Sequence, residues 1–167
     1  MSETRSTIED YIRSNPGVYF NQIVRSLDLA PGQVQYHLRR LEEGKDIVEQ
    51  SLYGHTHYYP ETYDDWERNA LALFRRETSR EILLHLIDEN GAKPSEMTDE
   101  LGIARSTLEW HLDHLIEQEI VEKERDMGGR VNVVLTQPEK TRDLLEIVSP
   151  SLPDKLIDRF IRLFDQL

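Results

Sequence analysis

The sequence predicts a mainly α-helical chain with small β-hairpin wings: two tandem winged helix-turn-helix domains followed by C-terminal helices. Three observations predict it. PGQVQYHLRRLEEG, starting at Pro31, is echoed 74 positions later by RSTLEWHLDHLIEQ, starting at Arg105. The matches fall on apolar positions: Leu27 on Leu101, Leu29 on Ile103, Val34 on Leu108, Leu38 on Leu112 and Leu41 on Leu115, with Ile8 on Ile82 and Ile12 on Leu86 upstream. What repeats is therefore a core, and so a fold. Each copy then closes with two short strand-like runs about a glycine turn, IVEQSLY and THYYP around Gly54, IVEKER and VNVVLT around Gly128-Gly129.

Within each copy the elements follow in order. A first helix is expected to open near Ser6 or Thr78, each with Glu three residues on (Glu9, Glu81), the pattern of a capping box. It ends at Asn15-Pro16-Gly17 or Asn90-Gly91, both chain breakers. A short helix presents Ile23 and Leu27, or Met97 and Leu101, on one side. A tight turn (Asp28-Leu29-Ala30; Gly102-Ile103-Ala104) leads to the third helix, which Pro31 suits because a first-turn N–H has no partner to lose. The hairpin follows, with DIVEQ (46–50) matching EIVEK (119–123) after a one-residue slip. The expected division is residues 1–60 for the first winged helix, 61–78 for a linker helix, 79–137 for the second winged helix and 138–167 for C-terminal helices. The linker helix is carried by Trp66, Ala70, Leu71, Leu73 and Phe74 at helical spacing, and a later one by Leu144, Leu145 and Val148.

Composition bounds the function. No apolar run reaches the 18 residues of a membrane span, the start MSETRSTIED is unlike a signal peptide, and cysteine is absent, so a cytoplasmic protein without thiol chemistry is expected. There is no glycine-rich phosphate loop, no G-x-S-x-G and no H-E-x-x-H, and the reading is that of a non-enzyme without cofactor. The net charge of −12 is split unevenly: residues 1–60 hold 8 acids against 6 Lys/Arg, and 61–167 hold 24 against 14. With 15 Arg to 5 Lys, this acidity suits concentrated salt, where self-repulsion is screened; an ordinary acidic protein is the alternative.

LDLAPGQVQYHLRRLEEGKDIVEQ resembles the recognition region of ArsR-like and MarR-like winged-helix regulators, and GIARSTLEWHLDHLIEQEIVEKE resembles a second. The tandem arrangement, the acidity and the closing VSPSLPDKLIDRF together resemble a group of haloarchaeal tandem winged-helix proteins. The resemblance implies transcriptional regulation.

The helical wheel separates the faces. With Val34, Leu38 and Leu41 inward, Gly32, Tyr36, Arg39, Arg40 and Glu43 turn outward, flanked by Gln33 and Gln35. This is the helix that enters the major groove, where Gln grips adenine and Arg grips guanine or phosphate. Gln33, Gln35 and Tyr36 are assigned to base edges, and Arg39 and Arg40 to phosphate or a late base. Tyr53, His55 and His57 of the first hairpin are further candidates for DNA contact, packing of its tyrosines against the third helix being the alternative. His55 and His57, like His111 and His114, have metal-like spacing but no third ligand close by in sequence, so no metal is expected. His37 and His111 are expected to be helix-flank histidines, partly buried.

The second copy presents Ser106, Trp110, Asp113, His114 and Glu117 instead, with Thr107 and Glu109 flanking. A phosphate backbone would repel those acids. Arg105, Thr107, Trp110, and Arg125 and Arg130 of the second hairpin are therefore assigned to a secondary DNA contact or to a protein partner. In PDKLIDRFIRLFDQL the broad apolar set Leu156, Phe160, Leu163, Phe164 and Leu167 predicts a homodimer interface, which would set the two reading helices on half-sites about one DNA turn apart. Double-stranded DNA is thus the leading partner. A protein adaptor in transcription or chromosome organisation is the rival, and a ligand-sensing regulator lacks any pocket signature in the sequence.

Overall fold

The computed structural model describes residues 2–148. The residues on which the dimer expectation rests, Leu156, Phe160, Leu163, Phe164 and Leu167, lie outside that range. The first copy consists of α1 (Glu3–Ser14), β1 (Val18–Tyr19), α2 (Phe20–Leu27), α3 (Pro31–Glu43), β2 (Ile47–Leu52) and β3 (His55–Pro60). After α4 (Asp65–Phe74) come α5 (Glu77–Glu89), α6 (Pro94–Leu101), α7 (Arg105–Glu117), β4 (Val121–Arg125), β5 (Val131–Leu135) and α8 (Pro138–Val148). The chain is thus mainly helical with small antiparallel hairpins, as the repeat predicts. None of the described helices is long and apolar enough to cross a membrane.

The core of the first copy gathers Ile8 and Ile12 of α1, Ile23 of α2, Val34, Leu38 and Leu41 of α3, and Ile47 and Tyr58 of the hairpin. Where α1 stops, Gly17 has φ +85° and gives its N–H to the Tyr58 carbonyl at 2.8 Å. A Cβ there would stand 3.4–3.5 Å from Tyr59 and Leu71, so both the left-handed backbone and the close packing ask for glycine. This corner also makes a strand that two residues are too short to announce: β1 pairs with β3, Val18 opposite Tyr58 and Tyr19 opposite His57.

The capping expectation is corrected. α1 is capped one turn earlier, where the Ser2 hydroxyl accepts from the Arg5 N–H at 3.1 Å. α5 begins at Glu77 with Arg76 as its uncapped N-terminal flank, because α4 ends only at Phe74 and leaves two residues to turn the corner. The reciprocal cap sits instead on α4, between Asp64 and Glu67.

The repeat extends to backbone detail. Lys45 and Glu119, 74 apart, both take φ +59°, and Leu41 and Leu115 both accept from the residue five on, Asp46 and Ile120, at 2.9 Å. The strands then open at Ile47 and Val121, still 74 apart, so the one-residue slip is a slip of letters and not of structure.

α4 is no free linker. Ala70, Leu71, Ala72, Leu73 and Phe74 are all at 0% exposure. Ala70, Leu71, Leu73 and Phe74 join Ile82, Leu83, Met97, Leu108, Leu112, Leu115 and Leu144 in the core of the second copy, and Tyr59 of the first hairpin belongs to that same cluster. The Tyr59 hydroxyl donates to the Arg68 carbonyl of α4 at 2.7 Å.

Candidate nucleic-acid interface

α3 has two clean faces. Val34 and Leu41 are at 0% exposure and Leu38 at 3%, which pins the rotation of the helix. Gly32, Gln33, Gln35, Tyr36, Arg39 and Arg40 are exposed as a consequence. Tyr36 is about half exposed and meets His37 edge-on. His37 is buried, and burial, aided by Arg5, holds its imidazole below the usual range. Arg40 has a 3.5 Å contact with Glu43, both exposed, and such pairs hold little energy. Among the described residues Arg39 has no salt-bridge partner. The five α3 residues assigned to DNA are therefore all exposed, with Arg40 alone in a long, exposed contact to Glu43.

The first hairpin is different. Of its three candidates only His55 stays exposed, edge-on to Tyr19. His57 is at 0% exposure and its Nδ1 lies 2.8 Å from the Gly17 carbonyl, so it cannot reach DNA; β1, laid against β3, covers it. That contact places the ring proton on Nδ1, donating to the carbonyl. Burial, the largest cause, pulls its pKa down to about 4, against the opposing Gly17 bond. The unfolded chain protonates this ring from about pH 6.5 downward while the folded chain does not. Stability is therefore fully present above that pH and falls by about 3 kcal/mol as pH drops from 6.5 to 4. An NMR titration should place the His57 midpoint at about 4; a midpoint near the ordinary value would contradict the burial.

Tyr53 is not free either. Its ring stacks on His114 of α7, centroids 3.9 Å apart and planes 20° apart. Its hydroxyl donates to the His114 carbonyl at 3.3 Å and accepts from the Gln118 amide at 2.9 Å. The Arg76 guanidinium lies over the Tyr53 ring, 5.4 Å from its centroid, and donates to the Leu52 carbonyl at 2.7 Å. A polar relay runs alongside, Gln50 to Asn69 at 2.6 Å and Asn69 to Gln118 at 2.8 Å, and Trp66 donates to the Glu119 carbonyl at 3.0 Å. The first hairpin is thus docked on the C-terminal half of the second copy's third helix. Replacing Tyr53 with Ala should release it: amide exchange at 51–56 should rise about tenfold, the loss of a stacked pair worth about 1 kcal/mol plus its buried area. Unchanged exchange would mean the hairpin is held elsewhere.

That docking occupies the His114 side of α7 from within the molecule. Its open part shows Thr107, Trp110, Asp113 and Glu117, with Trp110 at 54% exposure and edge-on to His111 and His114. Glu109 is not a bare acid: Arg105 at 3.0 Å and Lys123 at 2.8 Å hold it, the Lys123 bond first, and its carboxyl lies below the ordinary range. Arg105 is thereby partly occupied. Arg125 and Arg130 stay exposed at the second hairpin, whose turn is closed by Asp126 accepting from the Gly128 and Arg130 N–H groups at 2.9 Å. Among the described residues no group of three or more His, Asp or Glu is placed to hold a metal.

Two family models match the chain, one on each copy. Residues 2–71 match a family described as N-terminal HTH domain, and residues 76–124 one described as Helix-turn-helix domain. An uncharacterized HTH-type transcriptional regulator of Methanocaldococcus jannaschii is 27% identical over 131 residues, 78% of this chain but 33% of the relative, so the chain spans about a third of that protein's length. Overoxidized AbfR bound to DNA aligns with 81% of this chain and 90% of its own, at 18% identity and TM-score 0.43. Reduced AbfR bound to DNA aligns with 81% and 88%, at 16% identity and TM-score 0.44. The described residues thus hold two helix-turn-helix domains in series, each with an antiparallel hairpin after its third helix.

Proposed function

We propose that the chain is a sequence-specific DNA-binding transcriptional regulator that reads the major groove with α3. The observation that carries the reading is the exposed Gln33, Gln35, Tyr36, Arg39 and Arg40 set on a helix whose rotation is fixed by a buried apolar stripe. Gln33, Gln35 and Tyr36 meet base edges and the two arginines meet guanine or phosphate. His55 lies along the backbone beside them. Arg125 and Arg130 supply a second, sequence-independent phosphate contact. The protein works in the cytoplasm as a homodimer, and its acidity suits a salt-rich, haloarchaeal cell.

Equilibrium binding of the full chain to its own upstream DNA, measured by fluorescence anisotropy across a potassium chloride series up to about 1 M, tests this. A binder that depends on phosphate contacts loses affinity along a linear log–log slope. In a chain whose acids hold cations near the interface the slope is shallower. No preference for upstream DNA over scrambled DNA would defeat the reading.

A second reading has its own observation. Trp110, half exposed and flanked by the exposed carboxylates of Asp113 and Glu117, has the composition of a protein contact more than of a DNA contact. In it α7 serves as an adaptor surface while α3 reads DNA, so the two are compatible.

A further inference from the structure

The two copies differ at one buried pair in a way that the fold does not require. His37 and His111 hold equivalent places on α3 and α7. Each meets the aromatic before it edge-on, Tyr36 at 5.1 Å and Trp110 at 4.8 Å between ring centroids. In the second copy Ser79 of α5 serves this histidine, its hydroxyl 3.3 Å from His111 Nδ1. The residue 74 positions before Ser79 is Arg5 of α1. α1 packs with α3 through Ile8, Ile12, Val34 and Leu38, as α5 packs with α7 through Ile82, Leu86, Leu108 and Leu112. Residue 5 therefore stands to residue 37 as residue 79 stands to residue 111.

The exchange leaves both groups short of a partner. His37 is 7% exposed and its Nδ1 has no hydrogen bond, and Arg5 Nε is buried without one as well. Serine can give to the ring or take from it; arginine can only give, and here it does not. Burial first, and then the charge of Arg5, disfavours a proton on the imidazole. Buried polar groups left in this state weaken a fold. Nothing within the chain compensates. Among the described residues no carboxylate pairs with Arg5, and the acid one turn on, Glu9, is held by Arg13 at 2.8 Å. Arg5 is only partly buried, so its stem is enclosed while its terminal nitrogens are left to solvent.

The place of this cation is the edge of the α3 face. Gln33 and Arg40, one turn before and one turn after His37, lie on the same side of the helix as His37, and both are exposed. We propose that Arg5 is a DNA-phosphate contact, which carries the interface from the Gln33–Arg40 edge of α3 on to the first turn of α1. This rests on the proposed DNA reading. A phosphate is the anionic acceptor that a guanidinium fork matches. A residue kept for binding is often one that stability alone would not select. The second copy, whose third helix shows Asp113 and Glu117 outward, keeps the serine and the satisfied histidine.

The test is Arg5→Ser in the full chain, which rebuilds in the first copy the pair seen in the second. The thermal midpoint should rise by about 2–4 °C, the shift that one gained hydrogen bond gives a chain of this size. Affinity for the upstream DNA should fall about tenfold, and the log–log salt slope should flatten by about 0.9, one phosphate contact. Arg5→Lys, which keeps the charge, should keep the slope and gain no stability. A parental affinity and salt slope in Arg5→Ser would overturn the assignment. So would a midpoint that does not rise, because nothing would then be given up at residue 5. The variant Arg39→Glu, Arg40→Glu, measured in parallel, separates this assignment from the reading beneath it. Affinity lost there but not in Arg5→Ser removes Arg5 alone. Affinity lost in Arg5→Ser but not there upholds Arg5 and counts against α3 as the reading helix. Loss in neither removes both.

Discussion

The double change Arg39→Glu, Arg40→Glu lowers affinity for the chain's own upstream DNA by about 100-fold or more. Each arginine is assigned a phosphate or guanine contact worth about 1–3 kcal/mol, and about 1.4 kcal/mol is a factor of ten. Two such contacts account for the hundredfold, and reversing the charge adds repulsion from the backbone. The dependence of log affinity on log salt should also flatten by about two units of slope, near 0.9 for each phosphate contact removed. The fold should be indifferent to the change. Both side chains are exposed, and among the described residues the one ion pair either makes is the 3.5 Å contact of Arg40 with Glu43. Anisotropy with a circular-dichroism control decides it. A variant that is folded and binds as tightly as the parent would remove α3 from the DNA interface.

The second large effect is on stability. Phe74→Ala should cost about 3–5 kcal/mol, the range for deleting a buried aromatic ring and leaving its cavity. Domains of this size are stable by only about 5–15 kcal/mol, so the variant stands near the edge of unfolding. Phe74 is at 0% exposure, at the end of a five-residue run of α4 that is closed to solvent on every side. Its cluster includes Tyr59 from the first copy and Leu144, Leu145 and Val148 from α8. The loss should therefore move the whole unfolding curve in urea, read equally by tyrosine fluorescence and by helical circular dichroism. A cost below about 1 kcal/mol would mean the site collapses around the missing ring, and that this cluster does not tie the copies together.

Much of this architecture can be read from the letters. Apolar residues recurring at 74 positions mark Ile8, Val34 and Leu41 and their counterparts Ile82, Leu108 and Leu115, and all six are buried. Burial selects for apolar character, so a core repeats visibly. The open face of α3 follows from the same wheel. What periodicity cannot carry is contact between distant segments. Tyr53 meets His114 and Gln118, more than sixty positions away, and none of the three types announces a partner. His55 and His57 do lie on one side of a strand, but β1 covers only the second, so alternation alone misplaced His57. The Ser6 and Thr78 caps failed for a related reason. A polar first turn is invisible to an apolar pattern, and the start of α5 is set by the tight corner after α4.

Tyr59 is encoded in the first copy, yet its ring completes the interior of the second. A duplicated gene ordinarily leaves two modules free to diverge, each answering to its own selection. Here a residue of one half packs inside the other, so severing the chain between the copies would strip a ring from the second interior.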